Sequence, residues 1–228
     1  MIEKASSGEI HLVRSETVSR CLNEARAFRL NEPEADVIRN LNGTVAERVD
    51  AVIEWLSVEM SARYRPDTRT YCNIYAYDVC NLLNIYLPRV WWNGGANDSR
   101  NLLSTYGGNV VEFTSNKLHD WLIEFGGDYG WRIHESLEEA TSDSERLVIV
   151  CAKGQRAAGH ICVLIPPSDL VEGSEWRMST AGSKCIKHGR INYWWTSQAF
   201  KSVIFCSNSG INPNTCPKNI AFRQISKL

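Results

Sequence analysis

The sequence predicts an α+β fold with helices packed on one side of an antiparallel sheet, and three observations carry that expectation. Helical periodicity dominates the first half of the chain, and short β-rich runs dominate the second. The two strongest of those runs are separated by the turn material KGQRAAG, as antiparallel neighbours are. No linker-like stretch splits the 228 residues. That length fits one large domain able to bury its own core, expected over residues 44–228, preceded by an N-terminal helical extension over 1–43.

The elements follow in order. Pro33 to Leu41 reads as a short helix, and Asn42-Gly43 ends it. Thr44 and Glu47 form a capping-box pattern ahead of Val45, Val49, Val52, Ile53, Leu56 and Met60, which fall on one helical face. A third helix begins near Cys72, with Tyr75, Ala76, Val79, Leu82 and Leu83 at helical spacing and Pro88 marking its end. The stretch from Trp91 to Gly108 is rich in Gly, Asn and Ser and reads as a long loop bearing exposed aromatics. Ser115 to Phe125 is again amphipathic, with Gly126-Gly127 as its stop. LVIVCA at 147–152 and HICVLI at 160–165 are the clearest strands, and further strands are expected near Trp176 to Thr180 and Ser202 to Cys206.

Charge and composition exclude several functions. With 25 basic and 26 acidic residues spread along the chain there is no electrostatic footprint for nucleic acid or anionic lipid. The N-terminus lacks the basic start and apolar core of a signal peptide, and no stretch approaches the roughly 20 apolar residues of a membrane span. The expectation is a protein made in the cytoplasm, with no membrane span and no general secretion signal. Eight cysteines without a CxxC pair suit neither a disulfide scaffold nor a zinc ribbon. Cys185 and His188 have C-x-x-H spacing but no second pair of ligands, so no metal and no cofactor is expected. Cys206 and Cys216 flank a turn-rich loop that a disulfide would close in an oxidising compartment.

One cysteine stands where chemistry favours it. The first turn of a helix offers unpaired N–H groups and a favourable dipole to a thiolate, which suits Cys72 as a nucleophile. A nearby imidazole would complete it by taking the thiol proton and returning it to a leaving amine. Of the five histidines, His11 lies in a weakly structured N-terminus, His119 mid-helix, and His134 and His188 in polar turn material. His160 instead opens an apolar strand directly after Gly159, where a turn presents the ring at a sheet end. On residue types alone a buried, purely structural Cys72 remains the competing reading. Asp78 is off the face of Cys72 and reads as a structural hydrogen-bonding residue, and Cys80 as packing.

The segment T-x-CN-x-x-x-x-DV, formed by Thr70, Cys72, Asn73, Asp78 and Val79 and followed by Leu87-Pro88, resembles the nucleophile helix of papain-like peptidases of the NlpC/P60 and CHAP superfamily. DWLIEFGGDYGW at 120–131 is similar to a helix and turn of bacterial members, and LVIVCAKGQRAAGHICVLIPP at 147–167 to their histidine-bearing strand. The resemblance implies a papain-like fold and a cysteine peptidase or amidase acting on the stem peptides of bacterial peptidoglycan, with Cys72 as nucleophile and His160 as general base and acid. It implies a third polar residue on the strand EWRMSTAGS, where Thr180 takes the position of a glutamine in relatives, with Ser179 on the opposite face. Tyr71 stands where many relatives carry aspartate. The backbone N–H of Cys72 is one expected oxyanion donor, and the second is not identifiable.

The expected substrate-contacting positions are Tyr71, Trp91, Trp92 and Gly159, with Trp195 as a further groove aromatic, whereas Trp121 and Trp131 read as packing. The resemblance with the missing signal further suggests an antibacterial effector delivered to a target-cell periplasm by a specialised secretion machinery and countered by an immunity protein, or a phage-type lysis enzyme. Two alternatives are a non-catalytic wall- or glycan-binding module with Trp91 and Trp92 as its binding aromatics, and a transamidase or deamidase using the same Cys–His pair.

Overall fold

The apolar runs of the second half form the centre of a six-stranded antiparallel sheet. The structure, a computed structural model, describes residues 2–4, 8–93, 106–155, 158–168 and 174–211. Most of the Gly-rich stretch after Asn93, and Cys216 with any bridge to Cys206, lie outside these residues.

In chain order the elements are β1 (Ile2–Lys4), β2 (Ile10–Leu12), α1 (Pro33–Arg39), α2 (Val45–Leu56), α3 (Cys72–Leu82), β3 (Val90–Trp92), β4 (Val110–Glu112), α4 (Ser115–Glu124), β5 (Trp131–His134), α5 (Leu137–Ala140), β6 (Leu147–Gly154), β7 (His160–Ile165), β8 (Arg177–Ala181), β9 (Cys185–Arg190) and β10 (Phe200–Asn208). The large sheet has the order β5-β10-β6-β7-β8-β9, while β1 pairs with β2 and β3 with β4. The fold is therefore α+β.

The central strands read as unbroken apolar runs because both of their faces are covered. Leu147, Ile149 and Cys151 of β6 join Ile161, Val163 and Ile165 of β7 in the main core with the helices. Val148, Val150 and Ala152 face the other way with Cys162 and Leu164, into a second cluster closed by Leu137, Ala140, Met178 and Trp195. A helical layer on one side only is thus half of the arrangement; the short α5 and a 3-10 turn at Trp194–Thr196 cover the opposite face. Each fully buried aliphatic side chain contributes about 1.5–3 kcal/mol, so these runs supply much of the driving force.

The helix signals act as read. Thr44 accepts the Glu47 N–H at 3.2 Å while the Glu47 carboxylate accepts the Thr44 N–H at 2.8 Å, completing the capping box. The helix stops at Leu56 because Ser57 turns left-handed (φ 46°), which leaves Met60 exposed rather than on the apolar face. Within α3, Asp78 is buried and takes a two-pronged contact from Arg63, 2.7 Å from Nε and 3.2 Å from an Nη, plus a 2.8 Å bond from the Tyr64 hydroxyl. This is the structural role expected of it.

The N-terminal segment departs from expectation. Among the described residues of 1–43, β1 pairs with β2 and a single seven-residue helix follows, so the segment is not helical throughout. Ile10, Leu12, Val18 and Leu30 belong to the main core, and the Ile10 N–H donates to the Tyr86 hydroxyl at 3.1 Å. Alternating burial at Ile10 and Leu12 is a strand pattern too short to register as a period. Among the described residues no helix is long and apolar enough to cross a membrane.

Candidate active site

Cys72 is the first residue of α3, and its position is fixed from both sides. The Tyr71 N–H donates to the Ala181 carbonyl at 3.2 Å, clipping the helix start to the end of β8. The Asn73 side-chain amide donates to the Phe113 carbonyl at 2.7 Å, tying the same turn to the segment that leads into α4. There Thr114 caps α4 by accepting the Lys117 N–H, so Ser115 opens that helix. Two helix starts therefore meet, and the Cys72 sulfur lies 3.3 Å from the Ser115 hydroxyl oxygen.

His160 opens β7, paired with Ala152 of β6. Its Nε2 lies 3.0 Å from the Thr180 hydroxyl oxygen, which is also 3.2 Å from the Ile161 carbonyl. A hydroxyl has one proton. With that proton donated to the carbonyl, the oxygen accepts from Nε2–H, and Nδ1 keeps the free lone pair of a base. Ser179 faces the other way, 2.5 Å from the Tyr75 hydroxyl and bonded to the Ile186 carbonyl, so of the two candidates only Thr180 reaches the imidazole. Trp194 stands edge-on to the ring at 4.5 Å and 87°.

The peptide units flanking Ile161 join the two halves. Its carbonyl receives Thr180, while its N–H lies against the Cys72 sulfur. The residue following the histidine thus touches the candidate nucleophile. The thiol's own hydrogen bond runs to Ser115 and the imidazole's to Thr180.

The electrostatics differ from expectation. The helix start was expected to favour a thiolate, yet Cys72 is only 2 % exposed and burial raises its pKa above the ordinary thiol value. The Ser115 hydroxyl and the N–H groups of Ile161, Asn73 and Cys72 oppose that effect without reversing it. Burial also lowers His160, to about 4. Burial thus favours the uncharged thiol and the uncharged imidazole over an ion pair.

The remaining expected contacts resolve differently. Trp91 and Trp92 are not groove aromatics: they are 4 % and 2 % exposed, on β3 in the main core. Trp91 packs among Tyr86, Trp121, Phe125 and Tyr129, because a three-residue strand paired with β4 carries it under the helices. Trp195 is likewise buried, against Tyr193, Trp194 and Phe205. Tyr71 is nearly buried, its hydroxyl donating to Asp67 at 2.6 Å and the Arg26 guanidinium lying 3.8 Å over its ring. Gly159 is required by packing, since a Cβ there would overlap the Ala152 carbonyl and the Asn116 side chain.

Two contacts were missed from the sequence. Ser115 was legible as a helix start, but nothing in its spacing links it to Cys72. Trp194 belongs to a visible WW pair whose target, His160, lies on another strand. Conversely, a Ser–His–carboxylate string is not by itself a site. His134 lies 2.7 Å from the Ser207 hydroxyl and 3.2 Å from Glu139, yet Ser207 is fully buried. Among the described residues no cluster of side chains is suited to hold a metal ion, and Cys185 and His188 bond to the Tyr64 carbonyl and Glu54 instead.

No protein-family model matches the chain, and no curated protein or solved structure matches it significantly.

Proposed function

We propose that the protein is a papain-like cysteine hydrolase that cleaves amide bonds in peptidoglycan stem peptides, with Cys72 as nucleophile, His160 as general base and acid, and Thr180 as the group that orients the imidazole. The observation that carries this reading is the convergence of a helix-start cysteine and a strand-start histidine through Ile161, whose N–H meets the sulfur and whose carbonyl shares Thr180 with the imidazole. The target, a stem peptide, comes from the sequence resemblance.

The chemistry follows from a neutral resting pair. As the sulfur attacks the carbonyl carbon, its proton passes to His160 Nδ1 and the carbonyl oxygen takes the negative charge beside the Cys72 N–H. The tetrahedral centre then collapses. The C–N bond breaks, Nδ1 returns the proton to the departing amine, and an acyl group remains on the sulfur. Water gives a proton to the same nitrogen as it attacks that thioester; the C–S bond then breaks, the acid is released, and Nδ1 returns the proton to the Cys72 sulfur. Thr180 holds the tautomer in which Nδ1 accepts, as the third member of a triad does.

The alternative of a wall-binding module loses its binding surface, because Trp91 and Trp92 are buried. Delivery into a target-cell periplasm by a secretion machinery, with an immunity protein as partner, extends the same reading. The deciding experiment is mass analysis of muropeptides released from purified sacculi. Wild type is expected to release stem-peptide fragments and Cys72→Ala none; equal release by both overturns the assignment. Products carrying a new amine in place of a carboxylate would mark transfer instead of hydrolysis.

A further inference from the structure

We propose that Ser115 is a further catalytic residue, its hydroxyl donating a hydrogen bond to the Cys72 sulfur as the thiol passes its proton to His160. The inference rests on the reading of Cys72 as nucleophile, and it names a group that the sequence resemblance does not supply.

The first argument is the cost of a thiolate at this place. Cys72 is 2 % exposed, so water cannot solvate the charge that forms when the S–H bond breaks and an N–H bond forms on the imidazole. Protein donors must replace it. Those at hand are the Ser115 hydroxyl, 3.3 Å away, and the backbone N–H groups of Ile161, Asn73 and Cys72 itself. Of these the hydroxyl is the only donor that a side-chain substitution removes.

The second argument is that Ser115 has no local reason to be serine. At a helix start the usual role of serine is to cap, but Thr114 already does so by accepting the Lys117 N–H. Nor does Ser115 face solvent, being 6 % exposed. A buried hydroxyl is retained where it has a partner, and its partner here is the sulfur. The backbone holds the oxygen in place: the Ser115 carbonyl accepts the Cys151 thiol at 3.8 Å, and Asn73 ties Phe113, two residues upstream, to the turn carrying Cys72. The contact joins the first residues of α3 and α4, both set by capping and main-chain bonds.

The test reads the thiol directly. The full chain is treated with iodoacetamide from pH 6 to 11, and modification is followed on the Cys72 peptide by mass spectrometry. Access sets the plateau of that profile, whereas the acidity of the thiol sets its midpoint. Ser115→Ala is expected to move the midpoint up by about one to two pH units, the size of one lost hydrogen bond to a charged group. Ser115→Thr, which keeps the hydroxyl, is expected to stay within about half a unit. If Ser115→Ala does not fold, Ser115→Cys, close in size and a weak donor, is expected to shift the midpoint in the same direction. An unchanged midpoint in Ser115→Ala, or in Ser115→Cys where the alanine variant does not fold, overturns the proposal. The failures separate cleanly: a shifted midpoint in a protein that leaves sacculi intact refutes the hydrolase reading alone, and digestion with an unshifted midpoint refutes the role of Ser115 alone.

Discussion

The Nε2 of His160 and the hydroxyl of Thr180 lie 3.0 Å apart, across neighbouring strands β7 and β8. Because the same hydroxyl also reaches the Ile161 carbonyl, the pair selects a tautomer as well as an orientation. Thr180→Val keeps the shape and removes the hydroxyl. It is expected to lower the rate of stem-peptide release about tenfold, the kinetic equivalent of one neutral hydrogen bond of about 1–1.5 kcal/mol. Thr180→Ser is expected to retain most activity. Muropeptide release measured under identical loading distinguishes them, and a fully active valine variant would remove Thr180 from the site.

Burial lowers His160 to about 4, so its imidazole stays neutral in the folded protein at pH values where the unfolded chain already takes up a proton. The sign follows from linkage: a depressed folded pKa gives stability that is complete above the unfolded value near 6.5 and lost as pH falls through that value toward 4. The shift amounts to about 3 kcal/mol at pH 4. His11, half-buried and lowered to about 3 by desolvation, adds a loss of the same sign. Urea denaturation at pH 7.5 and 4.5 is expected to show a smaller drop for His160→Gln than for wild type. Equal drops would mean that the ring is open to solvent. If His160 is the general base proposed above, the acid limb of stem-peptide release is expected near pH 4, well below that of an ordinary histidine.

The sequence-level reading succeeded where one local rule decides the outcome. The capping box at Thr44 and the two apolar strands are set by nearest neighbours and by burial on both faces, and both are legible without a fold. His160 stands out in the sequence because it opens such a strand. Strand alternation says only that one of Thr180 and Ser179 faces the ring, and it is the resemblance that favours Thr180. What failed depends on what lies across the sheet. Trp91 reads as a loop aromatic until β4 pairs with its strand, and the acidity of Cys72 is governed by burial that no helix-start rule contains. The short strands β5 and β9 were missed because four and six residues of mixed polarity carry little period.

Asp78 and Arg63 form an ion pair with both side chains at most 1 % exposed. Their attraction offsets a desolvation cost that remains when one partner is removed. Asp78→Ala, which strands the guanidinium, is expected to destabilise the fold by about 3–5 kcal/mol. Since α3 carries Cys72 at its start, activity is expected to fall with stability and to recover on cooling. Chemical denaturation checks this, and a loss under about 1 kcal/mol would show that water reaches the pair.

Trp91 offers the sharpest contrast between a binding role and a packing role. A groove tryptophan replaced by alanine weakens substrate binding while leaving the fold intact. A core tryptophan does the reverse. Trp91 is 4 % exposed and touches four other aromatic rings, two of them edge-on at 5.6 and 5.9 Å. Trp91→Ala removes that area and leaves a void between β3 and the residues around α4, so a loss of about 3–5 kcal/mol is expected. Trp91→Phe, which fills most of the volume, is expected to cost less than half as much. Thermal and urea melts of both variants, set beside their binding to sacculi, decide between the roles. A stable alanine variant with weakened binding would return Trp91 to the surface, and the wall-binding reading would return with it.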